Sequence, residues 1–346
     1  MYVDALVCEK GDKLVADTTQ KEPHSVVVDP APVKLLEVCT YSCFGEINGD
    51  DYFFVPLEGK KMAVYNLDTK ALVDYTDTPF TQVKGMCMDK DGILWMVGDN
   101  PYIYKYDPVL NVGQSVYYYK NLSGVEKTDS IIGVSCAFGL TLGDDGCLYF
   151  GAYPVGAMGK YNIATGEFTN MGKVGMQDDS GTYASCPVYD NGYVYITTTG
   201  DRNSDGVKTM ELAKFDAATN ERLMVKDITQ YLSQQEVMVR GMGICGGVLI
   251  MGGERNDVKQ VAAFDAETFE FVDVGLQTAA IYGPTAEIDG KVWFVTSTAG
   301  ICEYNSATRK ATTVKGLESI TGSLRGGKDT SVYKGCSSRS GFCFTF

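Results

Sequence analysis

Asp201-Arg202-Asn203-Ser204-Asp205-Gly206 sets three oxygen-bearing side chains at alternate positions ahead of a glycine. That is the spacing by which a loop wraps a hard cation such as calcium. Asp201, Asn203 and Asp205 are therefore candidate metal ligands, and Ca2+ is the one cofactor this stretch raises. It departs from the helix-loop-helix pattern at its twelfth position, which is Leu212, with Glu211 one residue early. A polar hairpin tip would use the same residue types.

Other chemistry can be tested by elimination. Gly241-Met242-Gly243-Ile244-Cys245-Gly246 has the spacing of a dinucleotide fingerprint, but the strand-like Val248-Leu249-Ile250-Met251 follows where a helix N-terminus is required. Cys39 and Cys43 form half of a metal motif with no second pair. His24 is the only histidine, which removes multi-histidine metal centres and the commonest general base. Carboxylates survive this exclusion. A pair of acids can cleave a glycosidic bond when suitably spaced, and Glu46, Glu254 and Glu287 are the candidates.

These residues sit on a repeat. Gly49, Gly92, Gly146, Gly192, Gly247, Gly290 and Gly341 each precede a burst of strand-forming apolar residues, at intervals of 43 to 55 residues. Such a period predicts a β-propeller of four-stranded blades. Within each repeat an Asx-Gly-type hairpin turn joins two strands, as in Asp91-Gly92 and Asp289-Gly290. A third strand then ends in an aromatic followed by Asn or Asp: Tyr65-Asn66, Tyr106-Asp107, Tyr161-Asn162, Phe215-Asp216, Phe264-Asp265 and Tyr304-Asn305. In five of the six a threonine follows three residues later, and the Asx side chain is expected to accept from the backbone two residues on. At Asp107, Pro108 is expected to set the turn instead.

The blades are expected over 41–78, 82–119, 135–172, 183–226, 238–275 and 282–316. N-terminal strands within 1–18 and C-terminal strands within 328–346 look like the two halves of a seventh. The reading is a single-domain, all-β, seven-bladed propeller whose closing blade is shared between the chain ends, so that no open sheet edge remains.

The blade from Gly151-Ala152-Tyr153-Pro154 through Lys160-Tyr161-Asn162-Ile163-Ala164-Thr165-Gly166-Glu167-Phe168 resembles repeats of bacterial quinoprotein-like, kelch-like and streptogramin-lyase-like propellers. The resemblance spans nearly the whole chain. It implies that the turns between strands one and two and between three and four share one face, with the variable connections on the other. It also hints at a quinone-cofactor dehydrogenase, although no tryptophan occupies the repeated turns. Activity does not follow from the fold.

Variable loops on one end of a rigid scaffold suit recognition. Residues entering the innermost strands there are Tyr41, Lys84, Phe138, Tyr183, Arg240 and Tyr282, a predicted ligand-binding mouth of aromatics with two cations. The neighbouring Gly45, Gly85, Gly139, Gly241 and Gly283 are expected to answer crowding. The expected function is a non-catalytic binding propeller for a protein segment or a glycan. The alternative is a carbohydrate-active hydrolase or lyase using acids at the mouth.

The chain has 346 residues and a formal charge of −14. That charge opposes phosphate backbones and anionic membranes, so neither nucleic acid nor membrane is an expected partner, and a monomer is expected. Eleven cysteines, several at strand positions, read as buried thiols of a cytoplasmic protein. An exported protein whose signal peptide had been removed would read differently, with Cys8, Cys336 and Cys343 able to pair.

Overall fold

The computed structural model describes residues 3–4, 25–26, 42–57, 60–69, 71–119, 136–176, 183–202, 208–231, 239–253, 261–276, 281–282, 284–285, 287–296, 300–314, 335–337 and 342–344. The chain is an all-β propeller of six blades, each an antiparallel meander in which consecutive strands pair. It divides into two compact units, Met1–Gln82 with Gly243–Gly252 and Lys259–Phe346, and Val83–Met242 with Gly253–Val258.

Two short strands, β1 (Val3–Asp4) and β2 (Ser25–Val26), pair with each other. Blade one follows as β3 (Cys43–Ile47), β4 (Asp50–Leu57), β5 (Lys61–Asn66) and β6 (Ala71–Asp77). Blade two is β7 (Val83–Met88), β8 (Leu94–Gly98), β9 (Tyr102–Asp107) and β10 (Val112–Tyr118). Blade three is β11 (Cys136–Leu142), β12 (Cys147–Tyr153), β13 (Ala157–Asn162) and β14 (Phe168–Lys173). Blade four is β15 (Tyr183–Asp190), β16 (Tyr193–Arg202), β17 (Lys208–Asp216) and β18 (Arg222–Asp227).

Blade five keeps three strands, β19 (Val239–Cys245), β20 (Val248–Gly253) and β21 (Ala262–Asp265), with a single bridge from Phe264 to Phe271 in place of a fourth. Blade six is β22 (Ile281–Tyr282), β23 (Lys291–Thr296), β24 (Gly300–Asn305) and β25 (Lys310–Thr313). A last hairpin joins β26 (Gly335–Ser337) to β27 (Phe342–Phe344), with Cys336 opposite Cys343.

The expected seventh blade is not formed. Among the described residues the N-terminal strand β1 takes β2 as its partner and β26 pairs with β27, so the described chain ends do not share a four-stranded sheet. Short-range pairing closes a loop of a few tens of residues at most, whereas the shared blade required chain ends more than 300 residues apart to meet, at a higher closure entropy. Most of the expected strand-forming stretches within 1–18 and 328–346 lie outside the described residues.

Burial follows strand position. β8 and β12 are apolar runs buried on both faces, which is the pattern of a strand covered on each side. The outer strand β10 is largely exposed. In the second unit, blades two and three share one core, with Trp95, Val97 and Ile103 packed among Leu140, Leu148 and Phe150. Blades three and four share another, with Tyr149 and Met158 among Ala184, Ile196 and Phe215. In the first unit, Val248 and Ile250 of blade five pack with Val292, Phe294 and Tyr304 of blade six, while Phe44, Phe53, Val55 and Leu57 form a cluster within blade one. The described cysteines Cys43, Cys136, Cys147, Cys186, Cys245 and Cys302 are buried. No described helix is long and apolar enough to cross a membrane.

Candidate functional site

In three successive blades of the second unit, the pairing of strand one with strand two slips by a residue at the same place. The slips lie between Val83 and Gly85, between Phe138 and Leu140, and between Ser185 and Val188. Each is a bulge close to the loop-rich end of the blade, where it re-aims a side chain. Lys84 is the extra residue of the first. Gly139 in the second has φ +78°, and Cys186 in the third has φ +54°. The strands also approach closely here: a Cβ at Gly85 would lie 2.7 Å from the Gly139 carbonyl carbon, and one at Gly139 would lie 2.5 Å from Pro187 Cδ.

The bulges bring side chains from three blades together. Lys84 Nζ stands 4.1 Å from the Phe138 ring centroid and 3.6 Å from Cys136 Sγ. The Phe138 ring lies 5.5 Å from that of Tyr183 and, edge-on, 6.2 Å from that of Tyr153. Tyr153 and Tyr183 close the group with centroids 4.3 Å apart. Lys84, Phe138, Tyr153 and Tyr183 are all half-buried, and only Cys136 is fully covered. The arrangement is a cation held against a platform of three rings, able to stack an apolar face and to offer an ammonium donor.

Behind Tyr183 lies a polar row. Ser185 Oγ donates to the Val239 carbonyl at 3.2 Å, and Thr197 Oγ1 donates to the Ser185 carbonyl at 3.1 Å. On the opposite side of the sheet Thr198 pairs with Glu211. Glu211 is 4% exposed, and one of its carboxylate oxygens accepts from the Met176 amide at 3.2 Å. Burial, helped by Asp227, raises its carboxyl above the usual glutamate range against the opposing pull of that amide and of Arg222. Among the described residues the buried Thr198 hydroxyl has no hydrogen-bond partner.

The other end of each blade is occupied by turn chemistry. Asn162 Oδ1 accepts from the amides of Ala164 and Thr165, Asp216 Oδ1 from Ala218 and Thr219, and Asp265 Oδ1 from Glu267 and Thr268, all at 2.8–3.1 Å. Asp107 does the same with Val109 and Leu110, so Pro108 does not replace the Asx turn as the sequence led us to expect. At the preceding turn, Asp145 accepts from Tyr149 Oη at 2.6 Å and lies 3.4 Å from Lys160 Nζ. In blade two, Asp89 likewise accepts from Trp95 Nε1 at 2.7 Å.

The residues named from sequence therefore divide. Lys84, Phe138 and Tyr183 converge. Arg240 lies in β19 and Tyr282 in β22, while Tyr41 lies outside the described residues. Asp201 lies next to last in β16, and its loop partners Asn203 and Asp205 lie outside the described residues. Among the described residues no group of three His, Cys, Asp or Glu side chains is placed to hold a metal ion. Of the carboxylates, Glu46 is near the end of β3 beside the turn to β4, and Glu287 accepts from the Gly246 amide at 2.8 Å. Both lie at the turn end of their own blades, because they precede a strand-one turn in sequence; Glu254 lies outside the described residues.

Tyr153 and Cys136 were not singled out from sequence as site residues, and Glu211 was noted only as the acid one residue short of the loop's twelfth position. Strand pairing would have found Tyr153, since the end of strand two must lie beside the start of strand one, and here Tyr153 pairs with Cys136.

No protein-family model matches the sequence, and no curated protein matches it. Solved structures do match in shape. One is the computationally designed Ika8 protein, with TM-score 0.51 and 10% identity over 89% of this chain and 96% of that one. Another is Kuenenia stuttgartiensis hydrazine synthase, with TM-score 0.56 and 10% identity over 91% of this chain and 94% of that one. At such identity the likeness establishes a shared fold, the β-propeller, and nothing about chemistry.

Proposed function

We propose that the protein is a non-catalytic binding module that engages a protein segment or a glycan at the loop-rich ends of its blades. The contact surface is Lys84, Phe138, Tyr153 and Tyr183. The observation that supports this reading is that three half-buried rings and a cation from three separate blades meet where each inner strand carries a bulge. Rings in the blade interior such as Tyr149 and Phe150 are at 0% exposure, whereas these three keep part of their surface open. The opposite end is explained by its own turns, in which the repeated carboxylates and amides satisfy one another. Bulges that steer side chains and close backbone contacts that hold them rigid lower the ordering cost of capturing a ligand.

The test is a panel of immobilised oligosaccharides and extended peptides probed with the wild-type protein, Tyr183→Ala and the remote surface variant Val109→Ser. A binder lost by about tenfold or more in Tyr183→Ala and kept in Val109→Ser supports the reading, since aromatic anchors dominate such contacts. Binders that ignore Tyr183→Ala and Phe138→Ala overturn it.

A further inference from the structure

We infer that the ligand of this surface is a saccharide that carries its own carboxylate, of the uronic-acid type, with the carboxylate seated on Lys84; this rests on the binding role proposed above. The starting point is the state of the lysine. In a chain of net charge −14, the described lysines Lys61, Lys90, Lys160 and Lys291 each stand against a carboxylate, whereas Lys84, like Lys214, stands over an aromatic face. Among the described residues the polar partners of Lys84 are a thiol and a ring face, and no carboxylate lies within ion-pair distance. It is half-buried, so it is also less hydrated than a lysine in open water.

A ring face and a thiol leave an ammonium with unused donor capacity, since it carries three protons. An incoming carboxylate would complete it with a charge-assisted hydrogen bond. The platform beside it fixes the shape of the carrier. Tyr153 and Tyr183 are close-packed with a 31° interplanar angle, and Phe138 meets Tyr153 edge-on at 89°. A pyranose places a flat C–H face and, in a uronic acid, a carboxylate on one rigid ring. It can therefore meet an aromatic face and the ammonium together. An acidic peptide would bring the carboxylate on a flexible side chain whose ordering costs free energy. The negative charge of the whole chain acts over a screening length of about 8 Å at physiological ionic strength, so the nearest charge decides the contact.

The experiment is calorimetric titration of the wild-type protein with an oligogalacturonate, with the same oligomer as its methyl ester, and with an oligoglutamate, repeated on Lys84→Met. The expected result is that the acid binds about tenfold or more tightly than the ester, and that Lys84→Met reduces its affinity to that of the ester. Equal binding of acid and ester, unaffected by Lys84→Met, would overturn the inference and leave the binding role standing. Preference for oligoglutamate would do the same. If no saccharide binds while Tyr183-dependent peptide binders emerge from the panel, this inference fails alone; if no Tyr183-dependent binder of either class emerges, the binding role fails with it. Thermal melting of Lys84→Met separates lost recognition from lost folding, and Lys84→Arg should restore the preference for the acid.

Discussion

At the scale of single residues, the two ends of a blade differ in how their polar groups are satisfied. Glu211 is a buried acid whose carboxyl is raised, which fixes the sign of a pH effect. Below the unfolded value of about 4.3 the group is protonated in both states. Between that value and the raised native one, the folded protein holds a proton that the unfolded chain has released, so stability falls as pH rises and then levels off. Glu211→Gln should remove this slope, measured as the difference in urea midpoints between pH 4 and pH 8 relative to wild type. A midpoint difference identical in the two proteins would contradict the burial argument. Thr198 offers a second test, because its hydroxyl is buried and, among the described residues, unpartnered. Thr198→Val keeps the shape and removes the desolvated group, and should stabilise by about 1 kcal/mol in the same assay.

At the scale of elements, the Asx turns and the bulges were legible to different degrees. The aromatic-Asx-x-x-Thr pattern was readable because a single side chain and amides two and three residues on make the whole turn. Hydrogen bonds at Asn162, Asp216 and Asp265 follow that local rule. Asp216→Ala should lower the urea unfolding midpoint at neutral pH, because two turn amides lose their acceptor. Hydrogen bonds from Thr219 and Ala218 hold the Asp216 carboxyl below its ordinary value. Its contribution is therefore present above the unfolded value of about 3.9 and is lost as pH falls through the lowered native one.

The bulges carried no equivalent signature. Crowding at Gly85 and Gly139 was legible as glycines beside the inner strands, but the positive φ of Gly139 and its neighbour in blade four, Pro187, were not. Gly139→Val should destabilise by about 2 kcal/mol or more, visible as a lower melting temperature, because both the backbone conformation and the contact are violated.

At the scale of the whole molecule, charge and closure are the governing quantities. A chain carrying −14 repels itself, so moderate salt should raise the melting temperature by screening the repulsion, whereas a salt-independent midpoint would mean the acids are already balanced locally. The number of blades shows the limit of repeat counting. Seven glycine-led bursts were visible, yet six blades form, because the seventh burst belongs to a C-terminal hairpin that pairs within itself.

What the sequence determined by itself was the blade: the strand periodicity, the Asx turns and the apolar second strands are all set by interactions between residues close along the chain. The tertiary structure alone decided which side chains share a surface and how the ends pair. Lys84, Phe138, Tyr153 and Tyr183 are separated by up to about a hundred residues and meet only because three inner strands bulge in step, and the ends chose local partners because closing a short loop costs less entropy than spanning the chain.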